Sequence, residues 1–449
     1  MATQPKSRSL QRLVDSVRRL DATAAVEIGG RIAEAGPGYL RVTGLGANIS
    51  LGDRIVGAHD ARIQSEVIRI GPDGALAKLY GADIRMSLGA EVYRAAPIGV
   101  APCDQWRGRI INAVGEPVDG AGPLPAGAAS APLDRAPPMA LSRQRVRHPL
   151  KTGVRAIDAF APLCFGQRIG IFAGSGVGKS TLLGMLAKSD GFDDVVIGLV
   201  GERGRELREF AEDVLGDRRK EAIVIAATGD ESALMRRMAG HASLAIAEWF
   251  RDRGRRVLLI LDSVTRFAQA SREIAIAAGE PPVARGYPPS VFADLPRLLE
   301  RAGPGDEGSG SITGVFSVLV DGDDHNDPVA DAIRGILDGH IVLDRSIADQ
   351  GRYPAINLLS SISRLADQVW TPDRRSLVVR LRRLISRYED SRDFRAIGGY
   401  QPGADADLDA AVDLVPKLYA ALTQASDADR SIDAFREISD ALQSAEPKP

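Results

Sequence analysis

The sequence predicts an α/β chain: a parallel sheet covered by helices on both faces, with a small β-barrel ahead of it and a helical region behind it. Three observations carry this. Between Ala24 and about Pro97, short alternating runs recur with glycine turns at the roughly 8–12-residue spacing of closely connected strands. From Ile169 to Val320, near-continuous apolar runs of strand length are separated by helix-length segments, as in a sheet buried on both faces. Beyond Trp370 only apolar stripes of helical period remain. The 449 residues amount to about three domains of roughly 150 residues, and 44% hydrophobic with 26% charged residues excludes one long disordered chain.

Taken in order, residues 1–20 carry Leu10, Leu13, Val14, Val17 and Leu20 on one helical stripe, with Lys6, Arg8, Arg12, Arg18 and Arg19 against the single Asp15. This is a basic amphipathic helix of net charge +4. Three readings stay open for it: a helix packed on its own protein or solvated, a segment docking on a partner or an acidic membrane, and an organellar transit peptide. Residues 21–97 form the barrel, from the runs Gly30–Ile32, Tyr39–Val42, Asp53–Val56, Glu66–Ile70 and Ala90–Tyr93. Gly44-Leu45-Gly46 lacks the third glycine and the following helix of a dinucleotide site. Residues 121–138 hold five prolines and read as an extended connector, neither strand nor helix. Ile169–Phe172, Val195–Val200, Ile223–Ala226, Val257–Leu261 and Val315–Val320 are the sheet strands of a domain spanning 98–364. Leu377 to Tyr388, Leu408 to Leu422 and Ile432 to Leu442 make a helical domain over 365–449.

Several function classes drop out. No apolar run approaches the roughly 20 residues that span a bilayer. Two cysteines, Cys103 and Cys164, without CxxC spacing fit a reducing compartment and exclude a disulfide framework. The five histidines show no paired spacing for zinc. Net charge is −2, but residues 1–20 and Thr371–Arg395 each carry +4 and residues 401–449 carry −6, so any polyanion or membrane contact must be local.

Chemistry concentrates in three places. Gly174-Ser175-Gly176-Val177-Gly178-Lys179-Ser180-Thr181 follows a strand and opens a helix. Glycines let the backbone wrap phosphates, Lys179 reaches the β and γ groups, and Ser180 offers a hydroxyl to Mg²⁺. Ala173 stands where the strict phosphate-loop pattern has its first glycine, which is tolerable if that residue keeps an ordinary φ. Asp262 closes the strand Val257–Leu261, placed to orient Mg²⁺ through its waters. Glu202, in Gly201-Glu202-Arg203-Gly204-Arg205-Glu206, ends a third strand where it can orient or deprotonate the attacking water. Arg203 is a candidate contact to the γ-phosphate, and Glu206 a partner for a nearby arginine.

These elements resemble the hexameric RecA-like ATPases of the rotary ATP synthase class. The likeness runs over nearly the whole chain: Lys151–Asp158, the phosphate loop, Gly201–Glu206, Leu259–Asp262 with Ser263–Phe267, Gly286-Tyr287, Gly310–Thr313, Tyr353-Pro354 and Ser361–Arg364. It implies a RecA-like parallel-sheet P-loop ATPase core with an N-terminal small β-barrel and a C-terminal helical domain, using ATP and Mg²⁺. By the same resemblance Tyr353 stacks on adenine and Arg364 is an arginine finger sent into a neighbour's site. One chain holding both Glu202 and Arg364 can build a complete ring from itself, so a homohexamer is expected. With no acidic DELSEED-like stretch at its end, the chain is similar to the ATPases of type III protein export, most of all the flagellum-specific branch; the virulence (injectisome) branch shares every motif. The family implies a regulatory stator-like partner at the N-terminal helix, and the stalk, export gate and chaperone–cargo complexes at the C-terminal domain. It also implies a cytoplasmic location peripheral to the inner membrane. An RNA-translocating ring and a catalytically inert nucleotide-binding subunit are the other classes considered. The first would use the arginines of 371–395, but the Leu377, Leu381, Leu384, Ile385 stripe makes these the solvated face of a helix, so no nucleic acid is expected. Retention of Glu202 argues against the second.

Overall fold

The computed structural model describes residues 29–46, 49–60, 62–81, 86–320 and 327–443, apart from the side chains of Ala211 and Asp217. The basic helix expected over 1–20 lies outside the described residues. Two compact units divide the chain, Met1–Pro97 and Ile98–Pro449.

In the first unit six antiparallel strands close into a barrel: β1 (Gly29–Gly36), β2 (Tyr39–Thr43), β3 (Arg54–Gly57), β4 (Gln64–Gly71), β5 (Gly74–Leu79) and β6 (Glu91–Ala95). Their order around the barrel is β1-β2-β5-β4-β3-β6. Alternation turns Ile32, Leu40, Val42, Ile55, Val67, Ala77 and Val92 into the interior, and closure removes the unpaired edges that six short strands would otherwise expose. β5 was not among the runs expected from the sequence, because Ala75-Leu76-Ala77-Lys78-Leu79 has little β-branched or aromatic character. It is a strand because pairing on both sides holds it, and because Gly74, at φ 108°, turns where a Cβ would lie 2.3 Å from the Val42 carbonyl oxygen.

The second unit is built on a nine-stranded sheet. Its strands are β7 (Ile110–Asn112), β8 (Arg168–Ala173), β9 (Asp194–Glu202), β10 (Ala222–Thr228), β11 (Arg256–Asp262), β12 (Gly303–Pro304), β13 (Ser311–Leu319), β14 (Gly339–Leu343) and β15 (Ile362–Ser363). The order is β15-β14-β8-β13-β11-β9-β10-β7, with β12 added antiparallel on β13. Along that path every pair is parallel except β14–β15. All five strand runs expected from the sequence are present, and the short β7, β12, β14 and β15 extend the sheet. The connector also contributes a two-residue strand, Ala131–Pro132, paired with Gly99–Val100, where none was expected.

Helices cover the sheet: α1 (Lys179–Ala187), α2 (Ala233–Arg251), α3 (Val264–Ala277), α4 (Pro289–Leu299) and α5 (Pro328–Ile336). The helical tail follows as α6 (Pro372–Asp390), α7 (Ala406–Leu422) and α8 (Ala434–Gln443). Helix starts coincide with capping side chains: Ser232, Ser263, Thr371 and Asp405 each accept a backbone N–H from the first turn. Val378, Leu381, Ile385, Val415, Leu418 and Ile438 pack into the same apolar cluster as Ile157, Phe160 and Leu186, so the tail is continuous with the sheet domain's core. Among the described residues no helix is long and apolar enough to cross a membrane.

Candidate functional site

Because the central strands run in one direction, the loops after β8, β9 and β11 gather at one end of the sheet. After β8 the chain turns through Gly176 (φ 76°) and Gly178 (φ 89°) into α1, whose amino end carries no side-chain cap. The first-turn N–H groups of α1 are therefore left for an anion. Gly174 and Val177 are buried, while Ser175, Gly176, Ser180 and Thr181 are exposed along the rim. Ala173 ends β8 at an ordinary φ, so the missing glycine costs the loop nothing.

At the base of this loop three charged side chains meet. The Lys179 ammonium pairs with Asp262 Oδ1 and lies 3.6 Å from Glu202 Oε1. Asp262 is buried, and its Oδ1 also accepts the hydroxyl of buried Ser317 on β13. Glu202 Oε1 is shielded from solvent and accepts no hydrogen bond from the described residues. Burial, then the neighbouring Asp262 and Glu206 carboxylates, push the Glu202 carboxyl up to about 7 against the opposing pull of Lys179. Glu206 moves the other way, held below the usual range by its hydrogen bond with Glu202. One lysine thus serves two carboxylates, and Glu202 is the one left half-compensated.

Ser317 was not among the sequence candidates, although a hydroxyl inside the apolar run Val315-Phe316-Ser317-Val318-Leu319 is the kind of signal that marks a buried polar contact. Ser317→Ala removes a hydrogen bond to a buried carboxylate and is expected to destabilise the nucleotide-free protein by about 1.5–3 kcal/mol. Urea denaturation measures this; an unchanged midpoint would show that Lys179 alone satisfies Asp262.

The remaining candidates fall in three places. The Tyr353 ring lies against the phosphate loop, 3.6 Å from where a Cβ on Gly178 would sit, and is 45% exposed. Arg345, unanticipated from the sequence, donates to the Ser175 carbonyl oxygen at 2.6 Å and ties the segment leading to Tyr353 onto the loop. Arg203 points away from the cluster: its side chain is 86% exposed and 3.7 Å from Glu206. Arg364 sits at the other end of the sheet. Its N–H donates to the Asp338 carbonyl, and Asp338 N–H donates to the carbonyl of Arg168, the first residue of β8. Among the described residues the exposed Arg364 guanidinium donates to the Arg334 carbonyl, at 3.4 Å.

Among the described residues no cluster of His, Cys, Asp or Glu has the makings of a protein-only metal cage. The oxygens of Asp262 and Ser180 at the loop instead suit a cation held jointly with phosphates, as Mg²⁺ is.

Comparison with known proteins agrees with this geometry. Residues 153–363 match the nucleotide-binding domain of the ATP synthase alpha/beta family, and residues 370–441 match the C-terminal domain of the T3SS EscN ATPase. A flagellum-specific ATP synthase of Agrobacterium fabrum is 54% identical over 424 residues, covering 94% of this chain and 90% of that one. The type 3 secretion system ATPase of Xanthomonas euvesicatoria is 44% identical over 89% of this chain and 90% of its own. The structure of the assembled ATPase EscN from the enteropathogenic E. coli type III secretion system superposes with a TM-score of 0.86 at 36% identity, covering 92% of this chain and 100% of that one. Assembled EscN in complex with its central stalk EscO superposes at 0.83 with 35% identity and the same coverage. The phosphate loop, the acid pair facing its lysine and the full-length likeness lead to one conclusion: the chain is an ATPase of the ATP synthase alpha/beta family, belonging to the branch of the flagellum-specific ATP synthases and type III secretion ATPases.

Proposed function

We propose that this ATPase hydrolyses ATP at the interfaces of a homohexamer, and that hydrolysis energises or primes protein export through a flagellar type III apparatus. The observation that carries the ring is the separation of one site's parts: Lys179, Glu202 and Asp262 converge at one end of the sheet, while Arg364 stands at the opposite end of β8. Such a chain completes its chemistry only when one copy's Arg364 end faces the next copy's phosphate loop.

In this reading the loop N–H groups and Lys179 bind the β and γ phosphates, and Tyr353 supplies the surface on which the base stacks. Ser180 and Asp262 hold Mg²⁺, which offsets charge on the phosphate oxygens when bound. Glu202 orients the attacking water and takes its proton, its open Oε1 being the acceptor. Arg203 leaves Glu206 to meet the γ-phosphate, and the neighbour's Arg364 stabilises the charge that builds up during transfer. Residues 98–364 supply this machinery, residues 21–97 the barrel, and residues 365–449 the surface for stalk, export gate and chaperone–cargo complexes, with residues 1–20 meeting a stator-like regulator or acidic membrane beside the inner membrane. The solved EscN–EscO assembly supports the stalk contact. Flagellar rather than virulence export is favoured by the 54% against 44% identities of the respective relatives.

Contacts within the chain count against an RNA track along α6 and the segment after it. Arg374, Arg375 and Arg387 pair with Asp433, Asp367 and Asp405, Arg382 donates to the Phe160 and Ser361 carbonyls, and Arg395 lies over Tyr388. Arg382 and Arg395 are thereby held within the chain, whereas the pairs of Arg374, Arg375 and Arg387 lie at the surface and exchange readily. The ring reading predicts that specific ATPase activity climbs steeply with protein concentration as copies associate. Phosphate release measured over a dilution series checks this, and activity per chain that stays constant while light scattering reports monomers would refute it.

A further inference from the structure

A strap of chain crosses the sheet end that carries Arg364, and it presents charge with no internal counterpart. Residues 142–147 (Ser-Arg-Gln-Arg-Val-Arg) are anchored there through Arg143 and Gln144. Gln144 Nε2 donates to the Asp306 and Ser309 carbonyls at 2.9 Å each, and its backbone N–H to Gly305 at 3.1 Å. Arg143 donates to the Glu300 carboxylate at 3.0 Å and to the Glu300 carbonyl at 2.8 Å. These bonds hold the start of the strap against the segment 300–309. Arg145 and Arg147 are exposed, and among the described residues neither has a carboxylate within ion-pairing distance. Both line a cavity of about 690 Å³ whose wall also holds Arg168, Asp338 and Leu365. Asp338 is already engaged by Arg168 at 3.2 Å, so the cavity keeps its positive charge. Leu365, which follows Arg364 directly in the chain, lines the same cavity as the strap.

The opposite end of the sheet carries the complementary charge. Immediately after Glu202, residues 204–213 expose Glu206, Glu209, Glu212 and Asp213. Among the described residues Glu209 and Glu212 hold surface pairs, with Arg205 and Arg208, whose side chains are 86% and 78% exposed. Pairs of that kind are worth little in water and exchange readily. Asp213 has no ion-pair partner among the described residues.

Resting on the ring reading above, we infer that Arg145 and Arg147 dock on the acidic rim 206–213 of a neighbouring copy, and so align Arg364 with that copy's phosphate loop. A contact that sends Arg364 toward Glu202 of the next copy brings the basic strap at one sheet end toward the acidic segment 206–213 at the other. Complementary charge at such a rim sets register and speeds association.

The test uses the full-length chain carrying Arg145→Glu with Arg147→Glu. The protein concentration at half-maximal ATPase activity is expected to rise at least tenfold, with light scattering showing the same shift in assembly. Circular dichroism and binding of a fluorescent ADP analogue should stay at wild-type values, which separates lost docking from lost folding. Adding Glu209→Arg with Asp213→Arg in the same chain should recover assembly, and Arg145→Lys with Arg147→Lys should assemble normally. Assembly of the glutamate variant at the wild-type concentration overturns the proposal and leaves the ring reading intact, since that reading stands on Arg364. Loss of assembly that the rim reversal does not relieve overturns the assigned partner segment. Unchanged assembly with loss of polynucleotide binding would transfer the strap to nucleic acid.

Discussion

Arg364→Ala is expected to lower ATP turnover by roughly 10³-fold or more while leaving nucleotide affinity within about twofold of wild type. The reason is positional. Arg364 is joined through Asp338 to the first residue of β8, whereas Lys179 follows the last. At about 3.3 Å per residue the strand alone holds these ends roughly 17 Å apart, beyond the reach of one side chain, so the guanidinium has no part in its own copy's ground-state nucleotide contacts. A trans role also makes a prediction that a structural role does not. Glu202→Gln removes the proposed water-orienting group but keeps the proposed finger, and Arg364→Ala does the reverse. Mixed in equal amounts before assembly, the two inactive chains should regain about a quarter of wild-type activity. That is the share of interfaces at which an intact Glu202 faces an intact Arg364 in a randomly ordered ring. Recovery near zero, with both variants confirmed to co-assemble, would place Arg364 outside the site.

What the sequence made legible follows physical rules that act locally. Glycine spacing before a lysine at a strand–helix junction, and a carboxylate ending a buried strand, need no knowledge of what packs beside them, so Lys179, Asp262 and Glu202 could be picked from residue order alone. Their convergence could not. It depends on β8, β13, β11 and β9 standing side by side, an order unlike their order in the chain. The same non-local pairing hid Ser317, whose neighbour Asp262 lies 55 residues away, and Arg345, whose partner Ser175 lies 170 away. Strands supported by neighbours on both sides, such as β5, were equally opaque, since pairing there overrides an unpromising composition. Arg203 shows the converse: its place beside Glu202 suggests a phosphate contact, yet its exposed side chain lies beside Glu206 instead. The net charge of −2 was the least informative number of all, because the fold sets the strap at one sheet end and the acidic rim at the other.

The second large effect concerns Glu202. A group that must accept a proton from water works only as the carboxylate, and here burial and the adjacent Asp262 and Glu206 raise its pKa from 4.5 to about 7. kcat/KM, which reports ionisation in the free enzyme, is therefore expected to fall about tenfold per pH unit below 7 and to level off above it. Glu202→Gln should lower kcat/KM by roughly 10²–10⁴ and flatten that limb. Stability supplies an independent readout with a fixed sign. Between pH 4.5 and 7 the folded protein holds a proton on Glu202 that the unfolded chain has released, so the folded state binds more protons and its stability falls as pH rises through this window. Urea midpoints of the nucleotide-free protein should decline accordingly, and the neutral glutamine should remove that part of the slope. An acidic limb in kcat/KM that persists in Glu202→Gln would assign the ionisation to another group. A stability slope unaltered by the same change would mean that Glu202 ionises in the folded protein as it does in water, and then the half-compensated carboxylate beside Lys179 could not be the source of its basicity.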